Sequence, residues 1–251
     1  MFQLTVSVDE RKAEWLYSIE DIIKNKLNSC HAVAALKIHG KRVFCSFGCE
    51  TENKTKLVAA VRDCIIEMFA VVAKFDFIKQ NLSLAITPAR YDILLHTLVA
   101  FDRENEHKLL RKLVRVEDGI ALDGFFNFRM GELKERWLEI CRLTKSNGSY
   151  LRDDDMYNEL LRFLISAVNP KVTKLVLREN SGAYSLSGAL KNGSLDITAV
   201  DASELMYYLI DLAPLELVID GGITNSELSR RLIGIFDAKS CDSCKNKTKK
   251  Q

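Results

Sequence analysis

Apolar and polar positions change period along the chain, and each period predicts a different kind of element. Phe2 to Val8 alternates apolar and polar residues as a half-buried strand does, and Asp9 then opens a helical pattern through Trp15, Ile19, Ile22 and Ile23. Ala32 to His39 and Lys41 to Phe47 read as a hairpin joined at Gly40, where glycine accepts the dihedrals of a tight turn. A helical period runs from about Glu52 to Leu82 and, after Pro88, from Ala89 to about Val116. The pattern lapses over Glu117 to Gly124, where Gly119 and Gly124 mark a connection and a soft domain boundary.

Two further helices are expected near Glu132 to Thr144 and near Asp153 to Val168, with Ser146-Asn147-Gly148-Ser149 as a loop between them. From Pro170 the period shortens to that of strands. Lys171 to Arg178, Ala183 to Ala189 and Ser194 to Val200 form an antiparallel meander, with turns at Asn180-Ser181-Gly182 and Asn192-Gly193. Asp201 with Glu204 caps a helix through Leu205, Leu209 and Leu212, which Pro214 stops; a strand, Leu215 to Asp220, follows. Thr224 with Glu227 repeats the capping signal for a last helix through Leu228, Leu232, Ile235 and Phe236. The fold class is α+β: an N-terminal β-α-β-β segment, a helical middle, and a C-terminal antiparallel meander followed by α-β-α. The expected regions are 1–118, 119–239 and a Cys- and Lys-containing tail, 240–251.

At 251 residues, with 47% hydrophobic and 28% charged positions, the chain can bury a core. Lys and Arg number 36 against 34 Asp and Glu, so the net charge of +2 gives no general attraction for nucleic acid or an anionic membrane. The N-terminus enters charged sequence too early for a signal peptide, and Leu57 to Ile78 is interrupted by five charged residues, so no membrane span is expected. Seven widely spaced cysteines fit reduced thiols in the cytoplasm better than a disulfide framework.

The segment Gly124-Phe125-Phe126-Asn127-Phe128-Arg129-Met130 leads into an amphipathic helix. It is followed in order by Tyr157 to Phe163, Thr173 to Leu177, Leu209 to Pro214 and a C-terminal cysteine pair. In these features the chain resembles the YtxC-like sporulation family of endospore-forming bacteria, over roughly 119–244. The resemblance implies a role in spore formation and no particular reaction.

Candidate chemistry is sparse. Cys241 and Cys244 have the two-residue spacing of half a zinc site, which Cys45 and Cys49 could complete; a redox pair and unligated thiols are the alternatives. Lys108, Arg111, Lys112 and Arg115 fall on one helical face and could meet nucleic-acid phosphates, or could be a solvated outer face. Backbone N–H groups at Asp220-Gly221-Gly222 could cradle an anion, or the glycines could simply turn the chain. Phe125, Phe126 and Phe128 form either a partner-docking edge or part of the core. The histidines His31, His39, His96 and His107 lack metal-site spacing, and no nucleophile elbow is present. An interaction or scaffold protein with a protein partner therefore leads, ahead of a nucleic-acid-binding factor and an unrecognised enzyme.

Overall fold

The computed structural model describes residues 1–27, 31–190 and 193–241. It is a mixed α+β structure in which the chain divides into two units, Met1–Leu82 with Arg103–Arg142, and Ser83–Asp102 with Leu143 onward. The expected boundary near residue 118 is not where the division falls.

The first unit begins with β1 (Phe2–Asp9), whose alternation buries Leu4, Val6 and Val8. A 3₁₀ turn at Glu10–Lys12 leads into α1 (Ala13–Leu27), and the hairpin of β2 (Val33–His39) and β3 (Arg42–Cys49) follows. The hairpin turns at Gly40, whose φ of 58° favours glycine. Next, α2 (Lys54–Met68) and α3 (Lys74–Asn81) are joined by a π-helical segment, Phe69–Ala73. Its wider turn lets Phe69, Ala70, Ala73 and Lys74 all face the interior.

The chain re-enters this unit with α5 (Arg103–Leu113) and then forms β4 (Gly119–Ala121), α6 (Leu122–Arg129) and the first part of α7 (Gly131–Ser146). The sheet has the order β2-β3-β1-β4, with β4 parallel to β1. A Cβ at Gly119 would stand 2.7 Å from the Thr5 carbonyl oxygen, so this close pairing requires glycine. Gly119 is thus a strand residue and Gly124 lies within a helix, where a connection was expected. Both elements are too short to establish a period in the sequence, and burial of Leu122 and Phe126 fixes α6 instead.

In the second unit, α4 (Pro88–Ala100) precedes α8 (Asp154–Ser166), and together with α9 (Ala202–Leu212) and α10 (Ser226–Phe236) it accompanies a five-stranded sheet. Its strands are β5 (Lys174–Asn180), β6 (Ala183–Leu190), β7 (Gly193–Ala199), β8 (Glu216–Asp220) and β9 (Lys239–Cys241), in the order β7-β6-β5-β8-β9. The meander is antiparallel, while β8 and β9 join in parallel. At the turn before β7, Asn192 lies outside the described residues.

Two expectations shift. The helical period over 89–116 is broken at Asp102, whose φ is 60°, and α4 and α5 belong to different units. The cap of α10 is Asn225, one residue beyond Thr224, because its side chain accepts from the N–H groups of Glu227 and Leu228 at 3.1 Å each.

A charged pair sits inside the first unit. Lys74 and Glu106 are 0% and 1% exposed, with Lys74 Nζ 2.8 Å from Glu106 Oε1, and Trp137 Nε1 donates to the same oxygen at 2.7 Å. Lys74→Met should therefore destabilise the protein by about 3–5 kcal/mol, because a carboxylate stays buried without its ammonium. The double variant K74M/E106Q, which removes both charges and keeps an acceptor for Trp137, should recover most of that loss; urea unfolding measures both.

Nearby, Glu67 pairs with Arg103 and lies 3.2 Å from His107 Nε2. Burial acts to raise the Glu67 carboxyl, but His107 and Arg103 outweigh it and hold it at about 2, below the usual 4.5. A depressed carboxyl stabilises the fold fully above its unfolded pKa and loses that contribution as pH falls toward its folded pKa. Between about pH 4.5 and pH 2, Glu67→Gln should flatten the acid loss of stability measured by denaturant titration.

Candidate functional site

In the first unit, the end of β1, the 3₁₀ turn, the start of α1, α3 and α6 enclose a cleft of about 550 Å³. Aromatic side chains make its floor. Trp15 meets Phe126 edge-on at 5.2 Å between ring centroids, and Phe126 is in turn met by Phe77 at 6.2 Å. Trp15 is held in place by its Nε1, which donates to Asp76 Oδ2 at 3.0 Å. The helical spacing of Lys12 and Trp15 carries the lysine back over the rings. Lys12 Nζ lies 4.2 Å from the Trp15 centroid and 4.7 Å from that of Phe126, within the range of a cation–π contact.

Four carboxylates line the same cleft: Asp9, Glu14, Asp76 and Asp123. Three have fixed partners. Arg11 hydrogen-bonds Asp9 and holds its carboxyl at about 2. Asp76 accepts from Trp15. Arg42 grips Asp123 through two bonds, of 2.8 and 3.2 Å; burial acts to raise that carboxyl, and the guanidinium overrides it to leave it lowered. Lys12 itself forms no ion pair among the described residues, and burial pulls its pKa down although Asp123, Asp76 and Asp9 act to raise it. None of these residues stands out in the sequence as a motif. The available signals were Lys12 three positions before Trp15, and an aspartate, Asp76, interrupting an apolar helix.

The residues singled out from sequence do not converge on this cleft, apart from Phe126. Phe126 is 7% exposed and Phe125 packs partly buried against the core, stacked at 5.4 Å on Phe69, whereas Phe128 is 87% exposed. The aromatic run is helical, which turns Phe126 away from Phe125 and Phe128; of those two, three residues apart on one side of the helix, Phe125 is covered by Phe69 and Phe128 is left exposed. Lys108, Arg111 and Lys112 are exposed on α5, with Lys108 3.2 Å from Glu104. Arg115 lies beyond the helix end at Leu113, so the expected stripe is shorter by one residue.

Cys241 is in β9 and Cys244 lies outside the described residues. Cys45 and Cys49 cannot share one zinc ion while β3 is a strand, since four residues of strand separate their Cα atoms by about 13 Å. Burial also pushes the Cys45 thiol up to about 12, with Glu20 adding to the effect, so it resists forming the thiolate that zinc binds. At the glycine pair, φ is 90° at Gly221 and 85° at Gly222, and the Thr224 N–H is taken by Glu179 Oε2 at 2.6 Å. The chain's own carboxylate therefore occupies an N–H two residues beyond the glycine pair. His96 stacks on Tyr207 at 3.8 Å, and His39 is exposed in β2.

No protein-family model, curated protein or solved structure matches this chain. Among the described residues, no helix is long and apolar enough to cross a membrane.

The two halves of the aromatic run should respond differently to truncation. Phe126→Ala should cost about 3–5 kcal/mol by opening a cavity. Phe128→Ser should stay within about 0.5 kcal/mol of the parent. Thermal and urea unfolding of the two variants checks the contrast.

Proposed function

We propose that this chain is a cytoplasmic interaction protein of spore formation, docking a protein partner as an added strand alongside β2. The observation that carries the docking reading is the state of that strand. Every residue of β2 is exposed, and it forms one edge of its sheet. Its register places Ala34, Leu36 and Ile38 opposite Phe47, Cys45 and Val43, on the face that elsewhere in the sheet is buried. Leu36 and Ile38 nevertheless remain 40% and 60% exposed.

An edge strand also presents N–H and C=O groups along its free side, the template for strand addition. Lys37 and His39 stand exposed on the opposite face, alongside Val33. The fitting partner segment is thus extended, apolar on the face that continues Leu36 and Ile38, and acidic on the face opposite Lys37. Phe128 is carried on α6, which packs on β1 and β4, so it belongs to the other end of the sheet and not to this edge. The spore-formation setting rests on the resemblance over 119–244.

Leu36→Lys with Ile38→Lys should leave the melting temperature nearly unchanged, because both side chains are exposed. In a strain lacking the native gene, vegetative growth should be normal with or without the variant, and the variant should restore heat-resistant spores only poorly. Spore counts equal to those of the native gene would remove the β2 edge from the function. Normal sporulation of the deletion strain itself, with no redundant relative present, would remove the spore-formation role.

A further inference from the structure

We propose that the cleft between α1, α3 and α6 is a binding site for a small organic ammonium, quaternary or methylated, and that Lys12 is an internal occupant which such a ligand displaces. The site goes beyond the docking role of β2 and does not depend on it.

The position of the Lys12 ammonium, over the faces of both Trp15 and Phe126, is the position a bound cation takes on an aromatic floor. That floor is pre-formed. Trp15 is tied to Asp76, and Phe126 is braced by Phe77 and Trp137, so the rings need no rearrangement to receive a ligand. With Lys12 swung out, the four carboxylates lining the cleft are set against Arg11, paired with Asp9, and Arg42, paired with Asp123. Two carboxylates, Glu14 and Asp76, are thereby left without an arginine partner among the described residues, so the cleft keeps an excess of carboxylates once Lys12 has left. Further out, Lys134 Nζ is 5.4 Å from the Phe126 ring and donates to the Asn127 carbonyl, which holds it in place.

Lys12 is a poor permanent occupant. Its primary ammonium is strongly hydrated, and half-burial over the rings withholds part of that hydration. Its four-carbon stem and its place in a single 3₁₀ turn at the surface allow it to return to water. A methylated ammonium has fewer N–H groups to solvate and loses less on entering the same position. A cleft of about 550 Å³ is within the size range of small-molecule sites.

The test is calorimetric titration of the full chain with choline, and separately with acetate. Three proteins are compared, the parent, Lys12→Ala and Lys12→Gln, each checked for an unchanged melting temperature. Choline should bind the parent weakly and both Lys12 variants at least ten-fold more tightly. Adding Asp76→Asn, which keeps an acceptor for Trp15 and removes a charge, should weaken choline again several-fold. Equal choline affinity in all three proteins, or no choline binding in either Lys12 variant, overturns the proposal. Acetate binding that the Lys12 variants lose overturns it as well, since it would make the cleft an anion site with Lys12 as its ligand.

Discussion

The first unit depends on a single buried point where three helices meet. Lys74 of α3, Glu106 of α5 and Trp137 of α7 share one carboxylate oxygen, and none of the three reaches solvent. Apolar packing alone would tolerate several relative rotations of these helices, because one leucine face resembles another. An ammonium and an indole N–H that must both reach one oxygen do not allow that freedom. The pair also joins segments distant in sequence, since α3 precedes the excursion of the chain into the second unit while α5 and α7 follow it. Its contribution is orientation more than net stabilisation, the desolvation of two charges offsetting most of their attraction.

Much of the architecture was legible from periodicity. The alternation of β1 and β3 and the stripes of α8 and α9 each express burial on one face, and burial on one face is what a sequence pattern records. Legibility failed where an element is fixed by contacts remote in sequence. Three-residue β4 is a strand only because β1 is beside it, and its Gly119 serves a close approach to Thr5 that no local signal announces. In α6, Phe125, Phe126 and Phe128 do not share one role, docking edge or core, as the sequence leads one to expect. A helical turn of about 100° per residue sets Phe126 apart from the other two, and tertiary packing on Phe69 covers Phe125 but not Phe128.

The candidate cleft illustrates the same limit for chemistry. Asp9, Lys12, Trp15, Asp76 and Asp123 come from three separate stretches, and each has an ordinary explanation in its own neighbourhood: a cap, a surface charge, a core aromatic, an interruption, a first-turn acid. Their convergence is a property of the tertiary structure. The basic face of α5 was, by contrast, legible as a face, and its termination before Arg115 was not, because the helix ends at Leu113 without a glycine or proline to mark the stop.

The interleaved division of the chain bears on its synthesis. A ribosome delivers the first 82 residues of the first unit and then α4, whose buried residues Leu94 and Leu98 pack within a unit whose sheet lies some eighty positions further on. The first unit closes once Arg142 has emerged. At translation rates of about 5–20 residues per second, the apolar face of α4 then waits several seconds for α9, on which it packs. During that interval, among the described residues, the apolar face of α4 has no partner of its own unit to cover it except α8.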